Sequence, residues 1–312
     1  MRVGAMAKRV LWNVAPQVFR RLVNPATPQE FSIGIYGGAS PLELDESADI
    51  ENPVLTRQDV TDEPAAFVAD PFTIFEDGQW HMFFEVMSLI DRRGVIALAT
   101  SVDGRSWSYA RTVLREPFHL AYPQVFRWEG QIYMIPDTPT EGILLYRADR
   151  FPAQWSRVCR LQDEPVYSDS SLFVHRDRLW MLTCRREGNA GEMSLRLFGA
   201  QTLTGPWNEH PQSPVITGDR AITRPAGRVI DYEGRLIRFA QDCSTVYGKQ
   251  VRAFEITRLD ETGYCEREAA DHPILRNGTR RWNASGMHHI DAKASSDGQW
   301  VAVVDGWHGS AS

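Results

Sequence analysis

Residues 69–84 read Ala69-Asp-Pro-Phe-Thr-Ile-Phe-Glu-Asp-Gly78-Gln-Trp-His-Met-Phe-Phe84, and this pattern occurs five times along the chain. A short apolar strand is followed by a polar turn that ends in Gly78 and by a second apolar strand, which is the pattern of a β-hairpin. Copies of this hairpin pattern follow one another at a spacing of roughly fifty to sixty residues, which is the period of a propeller blade. We therefore predict an all-β chain that folds as a five-bladed β-propeller. The turn residues of the other four copies are Gly130, Asp177, Gly234 and Gly298.

The composition is that of a globular protein with one large core. The 312 residues are 43% hydrophobic, and a propeller of this length forms a single domain. The net charge of −6 disfavours nucleic acid as a partner, because neutralising phosphates requires a basic face. The four cysteines lack the close spacing of a metal site, and there is neither an apolar signal segment nor a membrane-length apolar stretch. These features predict a cytoplasmic location.

Residues 1–31 differ in character from the rest and are predicted to be an N-terminal linker or helical extension, with the propeller covering residues 32–312. Basic and apolar residues alternate between Ala7 and Val23, as in a basic amphipathic helix broken near Pro16. Two interpretations stay open for this segment: contact with an upstream domain, or peripheral contact with a membrane. Residues 32–36 are predicted to form a strand, and residues 37–51 have the composition of a loop.

The innermost strand of each propeller blade lines the central channel, so a site would be built from the first residue of each repeat. The first three repeats begin with Asp70, Tyr122 and Asp169. In the last two, Arg224 and His288 stand two residues before the repeat and share its strand face, because side chains alternate with a period of two. We predict that these five polar side chains meet at one mouth of the channel.

Several stretches resemble known propeller families. Asp70-Pro71 and Asp169, which open repeats, resemble the arabinanase and β-xylosidase type of five-bladed propeller glycosidase. A closer resemblance is to the propeller region of glucosamine inositolphosphorylceramide transferase-like proteins of plants and to relatives found beside formyltransferase-like domains in bacteria. The stretches that carry it are Val68-Ala-Asp-Pro-Phe72, Phe118-His-Leu-Ala-Tyr-Pro123, Tyr133-Met-Ile-Pro136, Leu145-Tyr-Arg-Ala148, Gly205-Pro-Trp207, Arg224-Pro-Ala-Gly-Arg228, Gln241-Asp-Cys243, Tyr247-Gly248 and Gly286-Met-His-His-Ile-Asp291.

The resemblance implies glycan processing, by a hydrolase or a transferase, in surface polysaccharide or glycolipid metabolism. Asp70 matches the general base of the glycosidases, and Asp169 matches the aspartate that orients and tunes their general acid. That acid would be a glutamate on the fourth blade, where this chain has Arg224 instead. Asp242 and Glu85 are the two candidate substitutes for the acid.

Arg224 at the acid position favours an anionic sugar as ligand, because a guanidinium pairs with two oxygens of a carboxylate, sulfate or phosphate. It is also expected to help keep Asp70 ionised. Tyr122, His288 and Glu85 are further substrate-binding candidates. Related propellers hold a hydrated Ca²⁺ in the channel, to which His288 could contribute. Strand alternation places His288 and His289 on opposite faces, so they are not expected to share an ion, and no metal ligands are assigned.

Two other functions remain open at this point. The chain could be a non-catalytic sugar-binding module that accompanies a formyltransferase or glycosyltransferase domain. It could also be a propeller recruited to a different small-molecule reaction, because a fold does not fix a function. A catalytic site needs carboxyl groups at a defined separation, whereas a binding module needs only stacking aromatic rings and hydrogen bonds.

Overall fold

The computed structural model describes residues 4–23, 29–188, 192–295 and 298–309, without the side chains of residues 20–22. The predicted 1–31 segment therefore lies partly outside the described residues. Two short helices open the described chain, α1 (Ala5–Val14) and α2 (Pro16–Leu22). The break between them falls next to Pro16, as predicted, because proline has no N–H to continue a helix. No helix among the described residues is long and apolar enough to span a bilayer.

Five antiparallel sheets follow one another along the chain, which confirms the five-bladed propeller. The first two strands of the chain are β1 (Gln29–Ser40) and β2 (Glu43–Glu46). Blades 1 and 2 contain four unbroken strands each. These strands are β3 (Ala65–Glu76), β4 (Gln79–Ser88), β5 (Gly94–Ser101), β6 (Ser108–Leu114), β7 (Ala121–Trp128), β8 (Gln131–Asp137), β9 (Ile143–Arg150) and β10 (Gln154–Gln162).

Blade 3 has its outermost strand broken in two, and blade 4 has its innermost strand broken in two. The strands of blade 3 are β11 (Tyr167–His175), β12 (Arg178–Glu187), β13 (Glu192–Ala200), β14 (Asn208–Glu209) and β15 (Ile216–Thr217). Those of blade 4 are β16 (Arg224–Pro225), β17 (Ile230–Tyr232), β18 (Arg235–Asp242), β19 (Gln250–Leu259) and β20 (Tyr264–Glu268). A 3₁₀ turn (Arg281–Asn283) then precedes β21 (Ile290–Ala294) and β22 (Trp300–Gly309).

Blade 5 joins the two ends of the chain in one sheet, in the order β2-β1-β22-β21. Strand β1 pairs with β22 from Gln29 opposite Gly309 to Gly38 opposite Trp300. The strand begins at Gln29, three residues before the predicted start of the propeller. Backbone hydrogen bonds between distant parts of the sequence therefore close the ring.

The prediction that residues 37–51 form a loop is wrong for the first part of that stretch. Residues 37–40 continue β1, and residues 43–46 form β2, which pairs with it. Glycine is required at position 38 because a Cβ there would collide with the carbonyl oxygen of Glu43. The two glycines therefore allow a close approach of two strands, although their composition is also typical of loops.

The hydrophobic core is divided among the interfaces between blades. One cluster of buried side chains lies between each pair of consecutive blades, including the interface that joins blade 5 to blade 1. Between blades 1 and 2, for example, Phe72 and Phe83 pack against Tyr122 and Met134. Burying a large apolar side chain stabilises a fold by about 1.5–3 kcal/mol. The ring is therefore held by contacts all around it, and it encloses a channel lined by the innermost strands.

Candidate functional site at the channel mouth

A bulge in the innermost strand aims the first residue of each of the first three repeats into the channel. Asp70, Tyr122 and Asp169 have φ angles of 53°, 45° and 53°, which is the left-handed region that non-glycine residues rarely adopt. At each position the pairing with the second strand gains one extra residue. Such strain is concentrated at functional sites in proteins. Three consecutive blades therefore keep the same strained backbone at the predicted site position.

Asp70 lies against two histidines and a second aspartate from blade 5. Its Oδ1 is 3.9 Å from His288 Nε2 and 3.7 Å from His289 Nδ1. Asp305 accepts hydrogen bonds from His288 Nδ1 at 2.7 Å and from the Asp70 N–H at 2.9 Å. The prediction that the two histidines diverge is wrong, because both precede β21 in backbone that is not a strand, where side chains do not alternate.

The two histidines differ in their protonation. Burial lowers the pKa of His288, but the Asp305 carboxylate outweighs it and holds that pKa above its ordinary value. Burial lowers the pKa of His289 to about 4. The His289 Nε2–H donates to the Pro71 carbonyl at 3.0 Å, so its Nδ1 carries a lone pair that faces Asp70. Asp70 therefore meets on one side a ring whose protonated form is favoured and on the other a ring whose neutral form is favoured.

Asp169 lies at the centre of a second group, in which Arg224 is its partner. The Arg224 Nε–H donates to Asp169 Oδ2, and Gln241 Nε2 donates to the same oxygen at 2.9 Å. The Arg224 guanidinium lies over the ring of Tyr247, 5.2 Å from its centre, and Tyr247 also contacts His288 edge to face. The predicted residues of blades 3, 4 and 5 thus lie in one continuous cluster.

Arg224 does not keep Asp70 fully ionised at neutral pH, contrary to expectation. Burial raises the pKa of Asp70 to about 7, against the opposing effect of His288. Arg224 also lowers that pKa, but it does not offset the effect of burial, and its Nε–H is bonded to Asp169.

Tyr122 has a supporting position within the cluster. Its N–H donates to Asp70 Oδ2 at 3.3 Å, and its hydroxyl lies 2.9 Å from Ser171 Oγ, which in turn donates to the Gly227 carbonyl. Its ring packs edge to face against Phe72 and His289. Tyr122 is fully buried, so it links blades 1, 3 and 4 and orients Asp70.

The second strand of each blade adds residues to the cluster that the sequence analysis partly missed. In blades 1 and 2, Glu85 and Asp137 pair with the residue that precedes the bulge. Burial, followed by the neighbouring carboxylates, raises the pKa of both groups well above the ordinary value. Asp137 and Asp305 were not predicted, although the hairpin register could have identified them. The residues at this position in successive blades are Glu85, Asp137, Cys184, Gln241 and Asp305.

Glu85 has a further partner in His119, whose Nε2 lies 3.5 Å from Glu85 Oε1. The His119 Nδ1 accepts the N–H of Gly94 at 2.9 Å, so its proton is on Nε2 and points to Glu85. Burial lowers the pKa of His119, which favours the neutral ring. Glu85 is therefore a buried carboxyl without a cationic partner among these contacts, and it is suited to hold a proton.

Asp242, the other candidate acid, contacts a different set of groups. It accepts hydrogen bonds from Ser244 and from Gln250, the latter at 2.6 Å. Burial raises its pKa, but the bonds from Ser244 and Gln250 outweigh that effect and hold the pKa below its ordinary value. Its neighbour Gln241 is the residue that bonds Asp169. Asp242 thus has the surroundings of a structural anion rather than of a proton donor.

Arg228 crosses the channel on the other side of the cluster. Its guanidinium binds Asp291 and donates to the carbonyl oxygens of Val125 and Thr73, both at 3.3 Å. Arg228 lowers the pKa of Asp291 to about 2, against the effect of burial, so the pair is charged. Arg228 therefore joins blades 1, 2, 4 and 5.

The group closest to a cation site among the described residues is Asp70, His288 and Asp305, whose ligand atoms lie within 4.8 Å of one another. Ca²⁺ takes six to eight oxygen ligands. Both Asp305 oxygens already accept hydrogen bonds from His288 and the Asp70 N–H, and the third group is a nitrogen. These residues do not fit a protein-built Ca²⁺ site.

The fold is similar to that of solved glycoside hydrolases. A thermostable family-43 glycoside hydrolase superimposes with a TM-score of 0.61 at 14% identity, over 83% of this chain and 91% of the other. Zg3597, a family 117 glycoside hydrolase of the marine bacterium Zobellia galactanivorans, superimposes with a TM-score of 0.54 at 14% identity, over 89% and 90%. At this identity the likeness shows the shared propeller fold.

Sequence comparison finds relatives in plants. Glucosamine inositolphosphorylceramide transferase 1 of Oryza sativa subsp. japonica is 37% identical over 302 residues, and that of Arabidopsis thaliana is 33% identical over 296 residues. Each alignment covers 88% of this chain, which spans about 40% of the length of the plant proteins. The family model described as "Glucosamine inositolphosphorylceramide transferase 1, N-terminal" matches residues 25–307. The chain therefore belongs to this N-terminal family of the glucosamine inositolphosphorylceramide transferases.

Proposed function

We propose that the chain is a glycan-processing propeller whose carboxyl cluster binds a sugar and transfers protons to and from it. The observation that carries this proposal is the repeated bulge, which holds Asp70 and Asp169 in strained backbone and aims both into one buried cluster. A strained conformation in three consecutive blades is costly, and structure alone does not require a carboxylate there. The family's link to glycolipid synthesis and the fold of the glycosidases support glycan processing.

In this proposal Glu85 is the general acid and Asp70 is the general base. Glycosyl chemistry requires one carboxyl that holds a proton and one that accepts it. Burial raises the pKa of Glu85 well above its ordinary value, which favours the protonated form that an acid requires. The pKa of Asp70, raised to about 7, lies near the pH at which a base is most effective. Two carboxyls with different environments in one cluster can divide the roles of acid and base.

The charges of the cluster favour a neutral or cationic sugar over an anionic one. Arg224 and His288 are its cations, and Asp169 and Asp305 already pair with them. The remaining carboxyl groups of the cluster are those of Asp70, Glu85 and Asp137, whose pKa values are raised by burial and by neighbouring carboxylates. A raised pKa means that negative charge is unfavourable in this environment, so an anionic ligand would be unfavourable there as well. A protonated amine on a sugar would instead find acceptors. The name of the plant relatives, which refers to glucosamine, agrees with an amino sugar.

The experiment combines a binding assay with a turnover assay on wild type, Asp70→Asn and Glu85→Gln. Glucosamine, N-acetylglucosamine and glucuronic acid are titrated by calorimetry. Turnover is measured with nucleotide-linked and aryl-linked forms of the first two sugars, with and without an inositol-phosphate lipid acceptor. We expect both variants to bind sugar and to lose about 10²-fold or more in turnover. Asp149→Asn, which changes a half-exposed carboxyl on β9, is the matched control.

A second candidate is a non-catalytic sugar-binding module. It is favoured by the half-buried ring of Tyr247, which lies against the Arg224 guanidinium and could stack on a sugar. Sugar binding without turnover by the wild type across the panel would favour this function. Preferential binding of glucuronic acid would contradict the proposed charge preference, and full activity of Asp70→Asn would remove Asp70 from the reaction.

A further inference from the structure

The N-terminal helices are docked on blade 1 by aromatic side chains. Trp12 on α1 and Phe19 on α2 are buried, and their rings meet edge to face with centres 5.6 Å apart. They pack against Ala66 at the start of β3 and against Leu89 and Ile90 in the turn after β4. The two helices therefore form a hairpin with a defined position on the propeller.

This helix hairpin lies at the same end of the propeller as the carboxyl cluster. Phe67 packs with the aromatic residues of the hairpin and also belongs to the cluster that contains Tyr247. Phe67 precedes Asp70 by three residues on β3, and the turn under the hairpin follows Glu85 on β4. A surface that engages the hairpin would therefore lie at the same end of the propeller as the carboxyl cluster.

The outer face of the hairpin is apolar and exposed. Among the described residues, eight large apolar side chains are strongly exposed, and four of them lie between positions 6 and 18. Met6 is 84% exposed and Val14 is 79% exposed. These four exposed residues are spaced four apart in the sequence, so the three that belong to α1 lie along one side of the helix. This exposed apolar stripe consists of Met6, Val10, Val14 and Val18.

A helix that is apolar on two opposite faces is expected to be covered on both. One face of α1 is covered by blade 1 through Trp12, and the exposed apolar stripe lies on another.

The hairpin also carries an unusual charge. The first 29 residues contain five basic and no acidic residues, whereas the chain has a net charge of −6, so the remaining residues carry −11. Lys8 Nζ donates to the Leu89 carbonyl at 3.0 Å, and Arg9 pairs with Glu63 at 2.6 Å while about a third of its side chain is exposed. Both contacts join α1 to the propeller. The five basic residues in the sequence are Arg2, Lys8, Arg9, Arg20 and Arg21.

We infer that the helix hairpin binds the surface of an anionic lipid bilayer, with the exposed apolar stripe in the headgroup region. A basic helix with an apolar face is the usual form of an interfacial membrane anchor. Anionic lipids attract a positively charged segment of an otherwise acidic protein and orient it. A second copy of the chain suits this surface less well, because two identical basic hairpins would repel each other. When the hairpin is bound in this way, the end of the propeller that holds the carboxyl cluster faces the membrane.

The test is co-sedimentation of the full chain with vesicles of phosphatidylcholine alone and of phosphatidylcholine with phosphatidylserine. We expect binding to the vesicles with phosphatidylserine, and weakening of that binding by added salt. The double variant Val10→Asp/Val14→Asp should bind at least about tenfold more weakly. Val102→Asp changes a side chain that is 80% exposed and distant in sequence, so it is the matched control and should bind like wild type. Thermal unfolding of each variant checks that it is folded.

Three results would overturn this inference. The first is a wild type that remains in the supernatant with phosphatidylserine vesicles. The second is an equal loss of binding in Val102→Asp. The third is a wild-type dimer, seen by light scattering without vesicles, that Val10→Asp/Val14→Asp converts to a monomer, because the stripe would then be an interface between copies.

Discussion

Asp70 combines three unfavourable features that no structural role explains together. Its backbone is left-handed, its carboxyl group is buried, and its pKa is raised to about 7. Each feature costs folding free energy that glycine or asparagine at this position would reduce. The partners that hold it, Tyr122 and Asp305, come from other blades. At the residue scale, the site is therefore marked by a residue whose conformation and burial lower the folding stability.

The protonation of Asp70 predicts how stability depends on pH. The folded-state pKa of about 7 exceeds the ordinary value of 3.8, so the folded state holds a proton that the unfolded state releases between these values. This contribution to stability is complete below the ordinary pKa and is lost as pH rises through about 7. The variant Asp70→Asn has no proton to release at this position, so its stability lacks this dependence on pH. As pH rises from about 4 to about 7, the unfolding free energy of the variant should therefore increase relative to that of the wild type, by at most about 4 kcal/mol.

The measurement is urea unfolding of both proteins at several pH values between about 4 and 8. Asp149→Asn serves as the control for loss of a carboxyl at the surface. Parallel pH profiles of wild type and Asp70→Asn would contradict the raised pKa of Asp70.

At the scale of elements, the interrupted inner strand of blade 4 depends on a glycine. Gly227 lies between β16 and β17 with a φ angle of 152°, and a Cβ there would collide with the backbone carbonyl of Ile290 in blade 5. The Ile290 N–H also donates to the Ala226 carbonyl at 2.8 Å. A side chain at this position would therefore separate two blades next to the channel.

Gly227→Ala should lower the unfolding free energy by several kcal/mol, because backbone of two blades must move apart. The matched control is Gly234→Ala, in the turn between β17 and β18. Gly234 has a φ angle of 74° and nothing within 4 Å of the added Cβ, so its variant should lose only about 1–2 kcal/mol from backbone strain. Chemical denaturation measures both values, and equal losses would show that the contact with Ile290 is unimportant.

At the scale of the whole molecule, the ring is closed by strand β1, and this predicts a sharp difference between two truncations. A chain that starts at Gln29 keeps β1 and loses the packing of Trp12 and Phe19, each of which contributes about 1.5–3 kcal/mol. It should fold with reduced stability. A chain that starts at Leu42 loses β1, so β22 keeps only its pairing with β21 and the edge that β1 covered is left without a partner strand. This chain should not fold cooperatively. Near-ultraviolet circular dichroism during heating distinguishes the two, and a cooperative transition in the shorter chain would contradict closure by β1.

Local sequence patterns predict both the number of blades and the strand position from which the site is built. Both follow from local information, since the hairpin period of two and the turn glycines need only neighbouring residues. The convergence of Asp70, Asp169, Arg224 and His288 followed from the same register, and the structure brings them together. The role of each residue in the reaction stays a prediction.

Which of these groups pair, and which favour the protonated form, depends on contacts between distant segments of the chain. Arg224 bonds Asp169, and His288 and His289 both approach Asp70, because the bulges and the backbone before β21 break the strand alternation on which sequence reasoning relied. Asp137 joins the cluster from a second strand, and its burial among the other carboxyl groups depends on the closed ring. The pKa shifts arise from burial, and burial exists only once five blades close into a ring.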